Sequence, residues 1–300
     1  MHYRTLASLA LTLLFTFALV SCGSQKSEDK AQDSTAFDEA TEADANLKEQ
    51  VQEVVYEIPS PSEIPYLLEA TGAEFNETLI NDRNRVDEYT TRNDKAALNL
   101  GVYAADIGYL VSYEKTQMAL NYMTAAKKLG DHLGISTTFD QSLLERFENN
   151  LSRKDSLAYL LNEAIAQTEE TLKDDNRSKL AAFVLTGSFI EGLFISTELI
   201  KTYPKDILPE DSRNLVLTPL IRVVLEQEKS VEDMIDLLGT LEQTEPVGEL
   251  HQGFKELNEK YKELNIQEQI RNNRADLVLT DQTLIDITAK VAELRNTVTE

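Results

Sequence analysis

Ala181-Ala182-Phe183-Val184-Leu185-Thr186-Gly187-Ser188-Phe189-Ile190-Glu191-Gly192-Leu193-Phe194-Ile195-Ser196-Thr197-Glu198-Leu199-Ile200 is the stretch that decides the fold. Either it spans a membrane or it fills a protein core. Its only charges are Glu191 and Glu198, and about 20 apolar residues of helix cross a bilayer core. In a bilayer, however, Glu191 would sit near the centre at a cost of roughly 3 kcal/mol. Thr186, Ser188, Ser196 and Thr197 add further polarity. The stretch therefore reads as a central buried helix, about Ser178 to Tyr203, since the middle of a bundle requires a helix that is apolar nearly all round.

A second helix shares its design. From Asn93 or Asp94 to about Tyr113, the small residues Ala97, Gly101, Ala105, Gly108 and Ser112 fall within one narrow face. On the first helix Ser188, Gly192 and Ser196 recur every four residues. Glycine inside a helix costs about 1 kcal/mol relative to alanine, so a close backbone approach must offset it. The two helices are expected to cross each other, or a neighbour, at the centre of the fold. Each carries a carboxylate inside its apolar run, Asp106 and Glu191, and Asp106 aligns with Asn99 and Tyr113 in a thin polar stripe. Two readings follow. Asn99, Tyr103, Asp106 and Glu191 could line a pocket for a cation or small polar ligand. Alternatively, each carboxylate accepts hydrogen bonds from buried Tyr or Thr, or reaches solvent, because buried charges are rare unless paired.

Around this pair, helical spacing continues. Ser62 to Gly72 predicts a short helix, followed by a polar connection from Asn76 to Thr91. Glu114 to Leu133 places Met118, Tyr122, Ala125, Leu129 and Leu133 on one face, with Gly134 as its stop. Phe139 to Leu151 and Lys154 to Leu172 repeat the pattern, and Pro204 and Pro209 bound a turn. Asp211 or Ser212 opens a segment to Leu241 that Pro219 can kink. Glu245-Pro246 opens another to about Leu264, Asn265 to Leu279 joins or breaks the last two, and Asp281 precedes a final helix through Leu284, Ile287, Val291 and Leu294. No alternating strand pattern and no solenoid repeat stands out. The expectation is an all-α bundle of about eight helices in a single domain, 58–300.

The N-terminal part carries an address. Arg4, an apolar run from Leu6 to Val20, and Ser21-Cys22-Gly23 form an export signal, and the run is short for a bilayer span. Leu19-Val20-Ser21-Cys22 reads as a lipobox: cleavage between Ser21 and Cys22 would free a cysteine whose thiol takes diacylglycerol and whose amine takes a further acyl chain such as palmitate. Two or more chains give stable anchoring. Residues 1–21 are then a signal peptide, and 22–57 an acidic lipidated tether with ten Asp and Glu against three Lys between 23 and 57. Such a composition predicts disorder in its proximal part. A weak helical spacing of Leu47, Val51, Val54 and Val55 predicts a short helix over 45–56.

Charge and inventory narrow the chemistry. The chain carries 29 basic and 52 acidic residues, net −23, and loss of Arg4 with the leader leaves −24. That balance disfavours nucleic acid and anionic headgroups as partners. Lipidation consumes the single cysteine, leaving no thiol chemistry. His132 and His251 survive cleavage, and neither follows a Glu at the di-iron spacing. There is no His-Glu-x-x-His, no Gly-x-Ser-x-Gly, no phosphate-cradling Gly-Lys-Ser/Thr loop and no Gly-x-Gly-x-x-Gly. No catalytic residue, metal ligand or cofactor is assigned; a carboxylate pair acting as acid and base is the residual enzyme possibility.

Val54-Val55-Tyr56-Glu57-Ile58-Pro59-Ser60-Pro61, Val86-Asp87-Glu88-Tyr89-Thr90-Thr91, Ala97 through Asp106, and Ser188-Phe189-Ile190-Glu191-Gly192-Leu193-Phe194 resemble a family of uncharacterised helical lipoproteins of Bacteroidota, over most of residues 54–260. The resemblance implies a Gram-negative envelope and brings no catalytic residues. In that setting Gln25-Lys26-Ser27-Glu28-Asp29 is similar to signals that send such lipoproteins to the cell surface. The expectation is a non-enzymatic lipoprotein, anchored through Cys22 in the outer membrane and facing either the cell surface or the periplasm, that binds an unknown protein or small molecule or supports an assembly. The alternative is an enzyme or ligand binder using Asp106 and Glu191 in a central cavity, and a third possibility is self-association through a C-terminal helix.

Overall fold

The computed structural model describes residues 46–51, 54, 65–66, 69, 72–135, 141–174, 177–202, 221, 227–263 and 282–300. The leader, the lipobox, the proximal tether, the 204–209 turn, most of the segment from 211 to 227 and the 265–279 joint lie outside them. All described residues belong to one compact unit, Glu42–Glu300.

The fold is an all-α bundle, with no strand among the described residues. Nine α-helices are described: α1 (Val86–Tyr89), α2 (Asn93–Ser112), α3 (Thr116–His132), α4 (Gln141–Glu148), α5 (Lys154–Asp174), α6 (Ser178–Thr202), α7 (Glu228–Gly239), α8 (Val247–Glu263) and α9 (Gln282–Thr299). Their termini follow local chemistry. α2 opens with Asp94 in its first turn, where a carboxylate complements the helix dipole. It ends as Glu114 turns left-handed at φ 56° and the Lys115 N–H donates to the Leu110 carbonyl at 2.8 Å. Gly134 plays the same part for α3 at φ 73°, with the Ile135 N–H on the Gly130 carbonyl. Gly72 likewise takes φ 84°, where the sequence places a stop. Residues 46–51 are helical, and Leu47, Val51 and Val54 join the common core.

α6 is the helix of the deciding stretch, and it lies in the core. Its length and hydropathy would let it cross a membrane, but 78% of its most apolar window is buried within the protein. Three hydroxyls along its length bond to their own helix: Thr186 donates to the Ala182 carbonyl at 2.7 Å, Ser196 to Gly192 at 2.6 Å and Thr197 to Leu193 at 2.9 Å. Polar groups bonded in this way can be buried without loss.

α2 crosses α6, as the small residues predict. The crossing pins backbone to backbone: a Cβ placed on Gly101 would lie 2.0 Å from the Val184 carbonyl oxygen, and one on Gly187 would lie 1.9 Å from that of Leu98. No side chain fits there. On α6 the critical glycine is Gly187 rather than Gly192, where an added Cβ meets nothing within 4 Å. Of the four-residue stripe Ser188, Gly192, Ser196, Ser188 reaches the contact, its backbone nitrogen 2.6 Å from a Cβ placed on Gly101, while Gly192 does not. α3 packs on α2, α5 packs on both α2 and α6, and α9 packs on α6 and on α8, with Phe189 of α6 stacked on Phe254 of α8 at 6.0 Å between ring centroids.

The expected polar connection 76–91 is more ordered than its composition implies. Asn76 and Asp82 accept hydrogen bonds from the backbone N–H groups of Thr78 and Asn84, and each opens a single 3-10 turn, Glu77–Leu79 and Arg83–Arg85. α1 follows directly. This segment carries Leu79, Asn81 and Tyr89 into the core.

Candidate functional site

Three elements bring the buried charges together. Asp106 comes from α2, Glu191 from α6 and Arg295 from the last turns of α9, and both carboxylates are fully buried. The Arg295 guanidinium engages Glu191 in a fork, Nε to Oε2 at 2.7 Å and a terminal nitrogen to Oε1 at 2.9 Å. The same terminal nitrogen donates to the Leu79 carbonyl at 3.3 Å, and the guanidinium lies over the Phe194 ring at 4.4 Å. A planar cation is suited to this arrangement, since one face stacks while its edge bonds in two places. Burial acts against the guanidinium charge, yet Glu191, followed by Asp106 and Tyr89, holds its pKa above the ordinary arginine value.

Asn81 is the hub between the carboxylates and the rest. Its backbone N–H donates to Asp106 Oδ2 at 3.2 Å, and its carbonyl accepts from the Tyr122 hydroxyl at 2.6 Å. Its side-chain Nδ2 donates to the Tyr89 hydroxyl at 3.0 Å. It also makes a long contact to Asn99 Oδ1 at 3.5 Å. Asn99 Nδ2 donates to the Val298 carbonyl at 2.9 Å, and the Tyr89 hydroxyl donates to that of Thr299 at 3.2 Å. The end of α9 is therefore held by donors on α1 and α2.

The four residues singled out in the sequence divide accordingly. Asn99, Asp106 and Glu191 enter this network. Tyr103 lies at its edge, donating to the Asp82 carbonyl at 3.1 Å and meeting the Tyr122 ring edge-on at 5.7 Å. Burial raises the pKa of both phenols, so they act as neutral donors. Tyr113 does not join its stripe; its ring packs against Tyr109 at 4.9 Å and Phe75 at 5.8 Å. Asn81, Tyr89, Tyr122 and Arg295 are the participants that spacing missed. Arg295 was detectable in principle, because it interrupts the face Val291, Leu294, Val298 of an otherwise amphipathic helix.

Asp106 is the unusual member. Its Oδ1 is buried and meets no N–H or O–H donor. Burial, and next the adjacent Glu191 carboxylate within hydrogen-bonding reach, push its pKa well above the usual carboxylate range, against the smaller pull of Arg295 and the Asn81 N–H. Two neighbouring carboxyls with a single guanidinium beside them balance their charge only when one is protonated.

A cavity of ≈ 20 Å³ lies elsewhere, lined by apolar side chains such as Leu100, Ala104, Ile107 and Val184 with Thr168. That volume holds about one water and is far below the roughly 300 Å³ of a small-molecule pocket. Among the described residues no group of three or more His, Cys, Asp or Glu is placed to hold a metal ion. The cluster can pin helices and hold a proton. No known protein family, no curated protein and no solved structure matches the chain.

Proposed function

We propose that the protein is a lipid-anchored lipoprotein of a bacterial envelope whose helical body binds a partner or supports an assembly without catalysing a reaction. The observation that carries the anchoring is Leu19-Val20-Ser21-Cys22 at the end of an apolar leader. An acidic tether of this length has an r.m.s. span on the order of 30 Å, and its charge extends it further. The net charge of −24 that remains after cleavage keeps the anchored protein off anionic headgroups. The resemblance to helical lipoproteins of Bacteroidota favours the outer membrane, with the acidic residues after Cys22 favouring display at the surface.

The competing reading places a cation or polar ligand among Asn99, Tyr103, Asp106 and Glu191. The convergence of two buried carboxylates supports it. Against it, the Arg295 guanidinium occupies the position a cation would take beside Glu191. The binding or scaffolding role is therefore preferred, and the cluster serves the fold.

The test is an intact-mass measurement of the N-terminal peptide from membrane-extracted protein. The expected peptide begins at Cys22 and carries diacylglycerol and an amide-linked acyl chain, and Cys22→Ser abolishes both. An unmodified peptide beginning elsewhere in a membrane-free protein would overturn the anchoring. Cross-linking in intact envelopes, repeated on Cys22→Ser, then shows whether a partner is captured at the membrane.

A further inference from the structure

We propose that Asn76 is the acceptor of an asparagine-linked glycan, and that the turn it caps presents its amide for the transfer. The chain contains three Asn-x-Ser/Thr sequences: Asn76-Glu77-Thr78, Asn150-Leu151-Ser152 and Asn176-Arg177-Ser178. That pattern marks such an acceptor in an exported protein when it lies at the surface. An acidic residue stands two positions before each asparagine, Glu74, Glu148 and Asp174, so local charge does not tell the three apart. Their structures do.

At the first, the Thr78 backbone N–H donates to Asn76 Oδ1 at 3.0 Å and the Thr78 hydroxyl donates to the same oxygen at 2.8 Å, both in an exposed setting. A backbone N–H is donor only, so the atom it meets is the amide oxygen, and the nitrogen must point the other way. Nδ2 has no acceptor among the described residues and is not buried. The turn is held from beneath, since the Asn76 N–H donates to the hydroxyl of the buried Tyr109 at 2.8 Å. At the second, Asn150 Nδ2 is already spent on the Arg146 carbonyl at 2.7 Å, and no hydrogen bond joins Asn150 to Ser152 among the described residues. At the third, Asn176 lies outside the described residues and the Ser178 hydroxyl is buried. Only the first sequence combines a free amide nitrogen with a hydroxyl on the amide oxygen.

The pairing suits the chemistry. Two donors on Oδ1 draw electron density towards it and make the Nδ2 protons easier to lose. The co-reactant is an oligosaccharide carried on a lipid pyrophosphate. A bond forms from Nδ2 to the anomeric carbon, the bond from that carbon to the pyrophosphate oxygen breaks, and its electron pair leaves with the pyrophosphate. One Nδ2 proton passes to a base of the transferase. The glycan would stand beside the surface formed by Phe75 and Lys115, whose ammonium lies 5.0 Å from the ring centroid. Partners would then be kept from that end of α2.

The proposal rests on the protein being exported, so the experiment reads lipid and sugar on the same material. Full-length protein is extracted from its native envelope and its peptides are analysed by tandem mass spectrometry. Sugar fragments and the added glycan mass are expected on Asn76 and not on Asn150 or Asn176. Thr78→Val, an exposed change that removes the hydroxyl, should abolish them, and Thr78→Ser should retain them. A lipidated Cys22 with a bare Asn76 overturns this proposal and leaves the anchoring intact. Sugar on Asn150 in place of Asn76, or full occupancy in Thr78→Val, overturns the role given to the turn. Sugar on Asn76 of an unlipidated chain supports the acceptor and removes the anchor, whereas a chain bare at both positions overturns both.

Discussion

The α2–α6 crossing and the Asp106–Glu191–Arg295 junction involve the same two helices, yet they are built from opposite materials. At the crossing, side chains are absent and the backbones themselves touch, Gly101 on Val184 and Gly187 on Leu98. At the junction, long charged side chains from three helices meet in a closed network. The first contact fixes how near the helices come. The second recruits a helix from the far end of the chain, 104 residues from Glu191. Proximity needs only shape, whereas joining distant segments specifically needs charge and directional hydrogen bonds.

The largest expected effect lies at the junction. Glu191→Gln takes the carboxylate out of the Arg295 fork, and losing one partner of a buried ion pair costs about 3–5 kcal/mol. Urea unfolding should show a lower midpoint and an earlier loss of protection in α9 than in α2. At the crossing, Gly187→Ala drives a methyl group into the Leu98 carbonyl, and overpacking of this kind costs about 1–3 kcal/mol. Loss should here be global, because the central helices must separate. The smallest effect sharpens the contrast on the same helix. Gly192→Ala meets open space and gains helix propensity, so stability should rise by up to about 1 kcal/mol. If Gly187→Ala and Gly192→Ala behaved alike, the backbone contact would not be where the structure puts it.

These differences also show what the sequence could reveal. Periodicity and glycine placement made the helices and their crossing legible, since both are local patterns of residue size and polarity. Gly101 was on the right face. Gly187 was passed over because its small neighbours blurred the face by one residue. Asp106 and Glu191 stood out as charges in apolar runs, but their partner did not, since nothing local in Gln282–Thr299 says which distant carboxylate Arg295 meets. Asn81 was hidden differently. It sits in a polar stretch that reads as connection, and only the two Asx-capped turns around it carry it inside. Side chains chosen by tertiary approach remain invisible to spacing.

The junction is also where a structural role and a ligand-binding role predict opposite signs. Residues kept for a ligand commonly lower stability, so neutralising them would raise it. A double-mutant cycle on Glu191→Gln and Arg295→Gln, measured by urea unfolding, is the most direct test. The structural account predicts that each single variant is destabilised by several kcal/mol, about 3 or more, and that the double variant loses far less than the sum, a coupling within the upper range of about 0.5–3 kcal/mol for contacting residues. Additive losses, or a Glu191→Gln protein more stable than the wild type, would contradict it.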